Sequence, residues 1–193
     1  MINEYLENYE KSRENSMVYC KDFSFYDDYK YRSEFTKKYA WAIPTEEALD
    51  TIVKYSPIIE IGAGTGYWAY LLHQKGTNII CFDKEPYNNH WCRNQWFEIK
   101  SGSFEVLTIQ ENKNRNLFLC WPPYDDSFAT KCLNHFRGNY LIYIGECQGG
   151  CCADDDFFEL LEKNYMKIKY VSLLQWSGIH DDLYIFKRKL LNK

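Results

Sequence analysis

Two short segments carry residue types that could hold a ligand beside a reacting group. The first, residues 62–66, is G-A-G-T-G, and an acid, Glu60, stands two residues before its first glycine. Glycine lets the backbone turn tightly and approach a ligand closely. The second, residues 121–124, is W-P-P-Y. Because proline has no amide donor for a sheet, these prolines must end a strand and turn the chain, so both segments predict rigid turns at strand ends.

Composition limits the classes of function. The 193 residues suffice for one domain with a core, and the net charge of -4 argues against nucleic-acid binding through phosphates alone, without excluding a local basic patch. No apolar run approaches membrane-spanning length, so no membrane partner is expected. The eight cysteines come with no apolar signal-peptide core at the amino terminus, which predicts free thiols and a cytoplasmic location.

The elements that must position these segments alternate from about residue 45 onward. Apolar runs separated by amphipathic stretches predict an α/β, Rossmann-like fold. Its sheet is mainly parallel and seven-stranded, with helices on both faces and a C-terminal antiparallel hairpin. The predicted strands are PIIEIG, NIICFD, WFEIKSG, NLFLCW, YLIYIGE, MKIKYVSLLQW and DLYIFKRK.

Such sheets bind ligands beyond the carboxyl ends of their strands. This rule brings residues 62–66, Asp83, residues 121–124 and Glu146 to one edge of the sheet, because each follows a predicted strand. Four strand ends that converge in one crevice predict a single ligand site there.

Residues 1–44 stand outside the alternating pattern, which occupies residues 45–193. They hold seven of the 17 tyrosines, with eight acidic and seven basic residues, a balance unlike that of a basic nucleic-acid arm. Two interpretations stay open. The segment is a helical cap packed on the domain, or it is a lid whose Tyr39 and Trp41 cover a ligand.

The segment 58–68, IIEIGAGTGYW, resembles the E-x-G-x-G-x-G motif of class I S-adenosylmethionine-dependent methyltransferases, and the order of elements from about residue 45 is similar to theirs. The resemblance implies S-adenosylmethionine as cofactor, with the glycines under its methionine part. Glu60 would lie near its amino group, and Asp83 would accept hydrogen bonds from its ribose hydroxyls. The implied cofactor-binding residues are Glu60, Gly62, Ala63, Gly64, Thr65, Gly66 and Asp83.

The segment 121–124 is similar to the (Asn/Asp/Ser)-Pro-Pro-(Tyr/Phe) motif of methyltransferases that modify exocyclic amines of nucleobases, and of related enzymes that modify glutamine. That likeness implies a carbonyl aimed at the reacting nitrogen and an aromatic ring, Tyr124, stacked on a planar acceptor. Trp121 departs from the motif, because an indole offers one donor and no acceptor. An alternative interpretation is that Trp121 and Tyr124 only fill a hydrophobic corner.

The departure at Trp121 leaves two alternatives. Either backbone carbonyls and a carboxylate (Asp125, Asp126 or Glu146) hold the amine, or the acceptor is not an exocyclic amine. His180, in the closing hairpin loop, is a candidate general base because histidine titrates near neutral pH. The predicted catalytic residues are Trp121, Pro122, Pro123, Tyr124, Glu146 and His180.

A metal site is not predicted. Cys147, Cys151 and Cys152 follow the fifth strand, and His90 and Cys92 lie elsewhere in the chain, but no C-x-x-C pair is present.

The resulting hypothesis is methyl transfer from S-adenosylmethionine to a nitrogen of a planar acceptor, either a nucleobase in nucleic acid or a heteroaromatic small molecule. The alternative is a non-catalytic module that binds the cofactor and acts through a protein partner. A dehydrogenase fits less well, because Tyr67 occupies the third glycine position of G-x-G-x-x-G. Nucleic acid remains a partner that the charge does not support, and no sequence signal indicates an oligomeric state.

Overall fold

The computed structural model describes residues 2–19, 25–86 and 92–190. Its helices are α1 (Glu4–Tyr19), α2 (Phe25–Lys38), α3 (Glu46–Ile52), α4 (Tyr67–Gln74), α5 (Phe128–His135) and α6 (Asp155–Asn164). Its strands are β1 (Ile58–Ile61), β2 (Ile79–Asp83), β3 (Ile99–Ser101), β4 (Asn116–Cys120), β5 (Tyr140–Gly145), β6 (Tyr165–Ser172) and β7 (Asp182–Arg188).

The seven strands form one sheet in the order β3-β2-β1-β4-β5-β7-β6. β1 pairs in parallel with β2 and β4, β2 with β3, and β4 with β5. β7 runs antiparallel to both β5 and β6. The predicted fold, a mainly parallel seven-stranded sheet that closes with an antiparallel hairpin, is confirmed.

Alternating strand residues supply the two faces of the sheet with separate cores. Ile58 and Phe118 pack on one face with apolar side chains of α3 and α4. Ile59 and Leu117 pack on the other face with those of α5 and α6. Because successive side chains of a strand point to opposite faces, an almost uninterrupted apolar run is what a sheet covered on both sides requires.

Side chains cap the starts of two helices, α3 and α6. Thr45 accepts a hydrogen bond from the amide of Ala48 at the start of α3, and Asp154 accepts one from the amide of Phe157 at the start of α6. Asp155 and Asp156 complete the acidic first turn of α6. Acids at the positive end of a helix are stabilising, so this cluster has a structural explanation.

Two predicted helices differ from those observed. The helix expected over residues 45–55 ends as α3 at Ile52 and continues as a 3-10 turn, Val53–Tyr55. The helix expected in SFEVLTIQEN consists of two 3-10 turns, Phe104–Thr108 and Gln110–Asn112, separated by Ile109 in an extended conformation. Short 3-10 turns of this kind are common at helix ends and as connectors between elements.

The N-terminal helices pack onto the domain through aromatic residues. Tyr5 and Tyr39 are buried in the same core as α4, and the Tyr5 hydroxyl accepts a hydrogen bond from Trp176 Nε1 at 3.0 Å. The Asp28 carboxylate lies 2.8 Å from the guanidinium of Arg13 and accepts a 2.8 Å hydrogen bond from the Ser177 amide. These contacts fasten α1 and α2 to the loop between β6 and β7. The boundary at residue 45, and the lid interpretation, stay predictions.

Within residues 2–19, 25–86 and 92–190, none of the helices combines the length and apolar character that crossing a membrane requires.

Candidate active site

A cavity of about 1080 Å³ lies at the carboxyl ends of β1, β2 and β4. Small-molecule sites commonly enclose about 300–1,000 Å³, so this volume suffices for a cofactor and an acceptor together. Its floor includes Glu60 and the glycine turn of residues 62–66, and Asp83 lies beside them. From α2 and the segment after it, the lining residues are Arg32, Thr36, Tyr39, Ala40 and Trp41. From the β4 end they are Cys120, Trp121, Pro122, Pro123, Tyr124 and Asp126.

The glycine turn is held against the end of β2. The amides of Gly62 and Ala63 donate to the Phe82 carbonyl at 2.8 and 3.1 Å. Gly64 and Gly66 have φ values of +56° and +72°, in the left-handed region that favours glycine. A Cβ on Gly66 would also lie 3.0 Å from the Phe97 Cβ, so another residue there would strain the backbone and crowd Phe97.

The turn is also held from the side of the N-terminal segment. The Thr65 hydroxyl donates to the Tyr39 carbonyl and accepts from the Tyr67 amide at 3.2 Å. The Thr65 carbonyl accepts from the Trp96 amide at 2.8 Å, and the Trp96 indole donates to the Lys38 carbonyl at 2.7 Å. The position of the turn therefore depends on residues 38–39 as well as on the sheet.

Glu60 is a carboxyl group buried at the floor of the cavity, 2 % exposed. Its Oε2 accepts a hydrogen bond from the Cys81 thiol at 3.4 Å. Burial raises the pKa of Glu60 to about 8; the Cys81 hydrogen bond opposes this shift, and the charge of Asp83 adds to it. The carboxyl is therefore mostly neutral at pH 7, and a cation that entered the cavity would favour its ionisation.

Asp83 ends β2 with its carboxylate partly engaged. Oδ2 accepts from the Gly64 amide at 3.0 Å, and Oδ1 accepts from the Glu85 amide at 3.1 Å. A carboxylate has about four acceptor positions, so roughly two remain for a ligand with paired hydroxyl donors. The two backbone bonds fix the direction in which those positions point.

Trp121 takes an uncommon conformation at the end of β4, with φ 53°. Such a φ in a bulky residue costs about 1–3 kcal/mol and persists only where the surroundings enforce it. Here the indole Nε1 donates to Asp181 Oδ2 at 2.7 Å, and the ring packs on Trp41 with centroids 5.3 Å apart. The Trp121 indole, which can donate a hydrogen bond but not accept one, therefore donates to a carboxylate of the protein itself.

Sequence reasoning missed Asp181. It is 2 % exposed, and burial raises its pKa to about 7, while the hydrogen bond from Trp121 opposes that shift. The predicted antiparallel hairpin could have indicated its position. Because β7 runs antiparallel to β5, with Asp182 opposite Gly145, the residues that begin β7 lie at the same edge of the sheet as the ends of β4 and β5.

The proline turn is paired with the loop after β5. The Pro122 carbonyl accepts from the Ala153 amide at 3.2 Å, and the Asp125 amide donates to the Ala153 carbonyl at 2.9 Å. Tyr124 is 67 % exposed at the mouth of the cavity. Of the three carboxylates considered as substitutes for the missing acceptor at Trp121, Asp126 is the one found among the described lining residues.

Glu146 and His180 are placed differently from the other predicted catalytic residues. The Glu146 carboxylate is 5 % exposed and accepts from the amides of Cys151 and His180 at 2.6 and 2.8 Å. The His180 side chain is exposed. Neither belongs to the described residues that line the cavity. Glu146 therefore joins two loops that border the site.

The described residues contain no group of three or more His, Cys, Asp and Glu side chains arranged to hold a metal ion. His90, weighed as a ligand together with the cysteines, lies outside the described residues.

Comparison with known proteins identifies the fold. No family model and no curated protein matches the chain. Solved structures do, among them 1,6-didemethyltoxoflavin-N1-methyltransferase from Burkholderia thailandensis, at TM-score 0.52 and 13% identity, covering 90% of this chain and 94% of that one. The N-methyltransferase NodS from Bradyrhizobium japonicum matches at TM-score 0.50 and 12% identity, covering 75% of this chain and 87% of that one. The chain has the fold of the class I methyltransferases.

An uncharacterized protein from Listeria monocytogenes serotype 4b matches at TM-score 0.51 and 11% identity, covering 75% of this chain. The match spans 66% of that protein, just under two thirds of its length. At such identities the likeness establishes the fold, and the function has to be argued from the site.

The buried carboxyl predicts a pH-dependent stability. The pKa of Glu60 is about 8 in the folded chain and about 4.3 when unfolded, so the unfolded state loses its proton first as pH rises. The free energy of unfolding should fall between these values, by up to about 1.4 kcal/mol per pH unit from this group. Urea unfolding at pH 5, 6.5 and 8 should show the Glu60→Gln variant gaining stability relative to wild type as pH rises. The exposed-site variant Glu47→Gln controls for the lost charge, and a constant difference between Glu60→Gln and wild type would contradict the assignment.

The Trp121–Asp181 hydrogen bond predicts energetic coupling. Trp121→Phe keeps a ring but leaves a buried carboxylate without its donor, which should lower the free energy of unfolding by about 1–3 kcal/mol. Asp181→Asn should cost less in the Trp121→Phe background than in wild type. A double-mutant cycle at pH 8 is expected to give at least about 1 kcal/mol of coupling. Additivity within about 0.5 kcal/mol would show that the bond does not hold the indole in place.

Proposed function

We propose that this chain is an enzyme that transfers a methyl group from S-adenosylmethionine to a nitrogen of a planar acceptor. One observation carries the proposal: a buried acid, a left-handed glycine turn and the Asp83 carboxylate share a cavity with the rigid W-P-P-Y turn. The first three provide a place for a cofactor, and the fourth provides a wall for an acceptor.

The residues present fit the cofactor. The neutral, buried Glu60 carboxyl suits an ammonium group, which would favour its ionised form. Asp83 retains acceptor positions for a ribose diol. The residues that would hold the cofactor are Glu60, Gly62, Ala63, Gly64, Thr65, Gly66 and Asp83. When bound, S-adenosylmethionine supplies an electrophilic methyl group on a sulfonium.

The acceptor side works by orientation. Methyl transfer is an in-line displacement, so a wall that fixes the acceptor nitrogen contributes most of the rate. Trp121, Pro122, Pro123 and Tyr124 would form that wall, since all four line the cavity. Trp121 would present its ring, because its N–H is engaged by Asp181. Asp126 would supply the acceptor that the indole cannot.

Glu146 would act as a positioning residue, since its carboxylate is already bound by two backbone amides. The side chain of His180 is exposed and lies outside the described cavity lining, which does not favour the general-base role.

A heteroaromatic small molecule is the acceptor that the site favours over a nucleobase in nucleic acid. Arg32, Tyr39 and Trp41 enclose the cavity from the N-terminal side, and the net charge of -4 does not attract a phosphate backbone. The Burkholderia thailandensis neighbour is by name an N1-methyltransferase crystallised with 1,6-didemethyltoxoflavin. A cytoplasmic location remains a prediction; the seven cysteines of the described residues are free thiols.

Ligand-dependent thermal unfolding tests the cofactor. S-adenosylmethionine or S-adenosylhomocysteine at a hundred times its dissociation constant should add about 2.7 kcal/mol of stability, and NAD should add none. Asp83→Ala should lose most of the shift, because it removes the acceptors for the ribose. Asp156→Ala, which removes an exposed aspartate outside the cavity lining, should keep it.

Stabilisation by NAD alone, or by none of the three, would contradict the proposal. Stabilisation by the two methionine-derived ligands, with no S-adenosylhomocysteine formed in the presence of planar heteroaromatic amines, would instead favour the non-catalytic binding module.

A further inference from the structure

We infer that Arg32 is the receptor for an acidic group carried by the acceptor, so that the acceptor is a planar molecule bearing a carboxylate or a phosphate. This inference rests on the proposed function and narrows its substrate class. It comes from a guanidinium at the cavity wall that the rest of the described chain leaves without an anion.

Two indole rings hold the Arg32 guanidinium in place. Its Cζ lies 5.1 Å from the centre of the Trp41 ring and 5.6 Å from that of Trp121. Guanidinium groups stack on aromatic faces, which fixes their plane while the N–H donors at the edge stay available. Arg32 lies on α2, so the contact also joins the N-terminal segment to the predicted acceptor wall.

The donors of Arg32 are not satisfied by the described residues. Arg32 is in none of the ion pairs there, and its buried Nε has no hydrogen-bond partner. A buried donor left unsatisfied costs about 1–3 kcal/mol. By contrast, Arg115 donates to the Ile58 carbonyl and to Asn78. A guanidinium in a cavity wall that has neither an anion nor a hydrogen-bond acceptor among the described residues indicates a ligand that accepts from it.

The neighbouring acids do not take that place. Asp181 is close enough to feel the charge of Arg32, but it forms no ion pair with it in the described part of the chain, and its Oδ2 accepts from Trp121. Asp83 and Asp126, which also line the cavity, accept hydrogen bonds from backbone amides. No acid of the described residues therefore pairs with Arg32, and its positive charge can bind a ligand.

The fork of a guanidinium matches an oxyanion that presents two oxygens side by side, because two parallel N–H groups bind both at once. A carboxylate and a phosphate monoester share this chemistry. With its acidic group at Arg32, a ligand would lay its ring along Trp121, whose indole face the guanidinium also contacts. Such an acceptor would be an aromatic acid or an aromatic phosphate, and the neutral amide of the same ring would bind more weakly.

The test is a titration of the full chain, followed by the indole N–H signals of its tryptophans in two-dimensional NMR. The probes are benzoate, benzamide and phenyl phosphate. They are used up to about 50 mM, well above the millimolar dissociation constants expected of fragments. Each titration is run on wild type, Arg32→Gln, Arg32→Lys and Lys131→Gln, the last removing another cation of the cavity wall.

We expect saturable binding of benzoate to wild type, at least about tenfold tighter than that of benzamide. The preference should vanish in Arg32→Gln, persist in part in Arg32→Lys, and be unchanged in Lys131→Gln. Saturation by phenyl phosphate but not by benzoate would assign the oxyanion as a phosphate. Failure of both anions to saturate wild type, or equal responses of wild type and Arg32→Gln, would overturn the inference.

Stabilisation by S-adenosylhomocysteine, measured on the same samples, separates this inference from the proposed function. If the cofactor product stabilises wild type and Arg32→Gln alike while the oxyanion preference is absent, the inference about Arg32 fails alone. If the cofactor product stabilises neither, the proposed function fails.

Discussion

The constraint on which the site depends is a carboxyl group that is buried with no cation beside it among the described residues. Glu60 lies in β1, an inner strand of the sheet, and accepts a hydrogen bond from the Cys81 thiol. Burying an acid in this way disfavours its charged form and costs stability, so such groups concentrate at functional positions. The strand pairs, the glycine turn and Asp83 all surround this carboxyl. Its chemistry, a neutral acid ready to ionise, is what distinguishes the cavity from an ordinary cleft.

The N-terminal segment is part of the site. Thr65 of the glycine turn donates to the Tyr39 carbonyl, and Trp41 packs on Trp121. The two turns that frame the cavity are therefore each held by residues 39–41. Loosening this segment would disturb the proposed cofactor wall and the proposed acceptor wall together, so the contacts between α1, α2 and the β6–β7 loop would affect the proposed function.

The sequence predicted the parts of the structure that local patterns determine. Apolar runs and the glycine turn predicted the sheet, and the rule for strand ends placed Asp83 and residues 121–124 at one edge. Contacts between segments that are distant in the sequence could not be predicted from local patterns. The partner of Trp121 is 60 positions away, at Asp181, and Arg32 reaches Trp121 across 89 positions. For the same reason the sequence gives no sign that the Glu146 carboxylate accepts hydrogen bonds from two loop amides.

Calorimetry of S-adenosylhomocysteine binding at pH 7, in buffers of different ionisation enthalpy, tests the central claim most directly. If the ligand's ammonium group pairs with Glu60, whose pKa is about 8 in the free chain, binding should release roughly one proton, and the release should decline above pH 8. Glu60→Gln should bind more weakly and release none. Binding of wild type with no proton release, or with the same release in Glu60→Gln, would contradict the account.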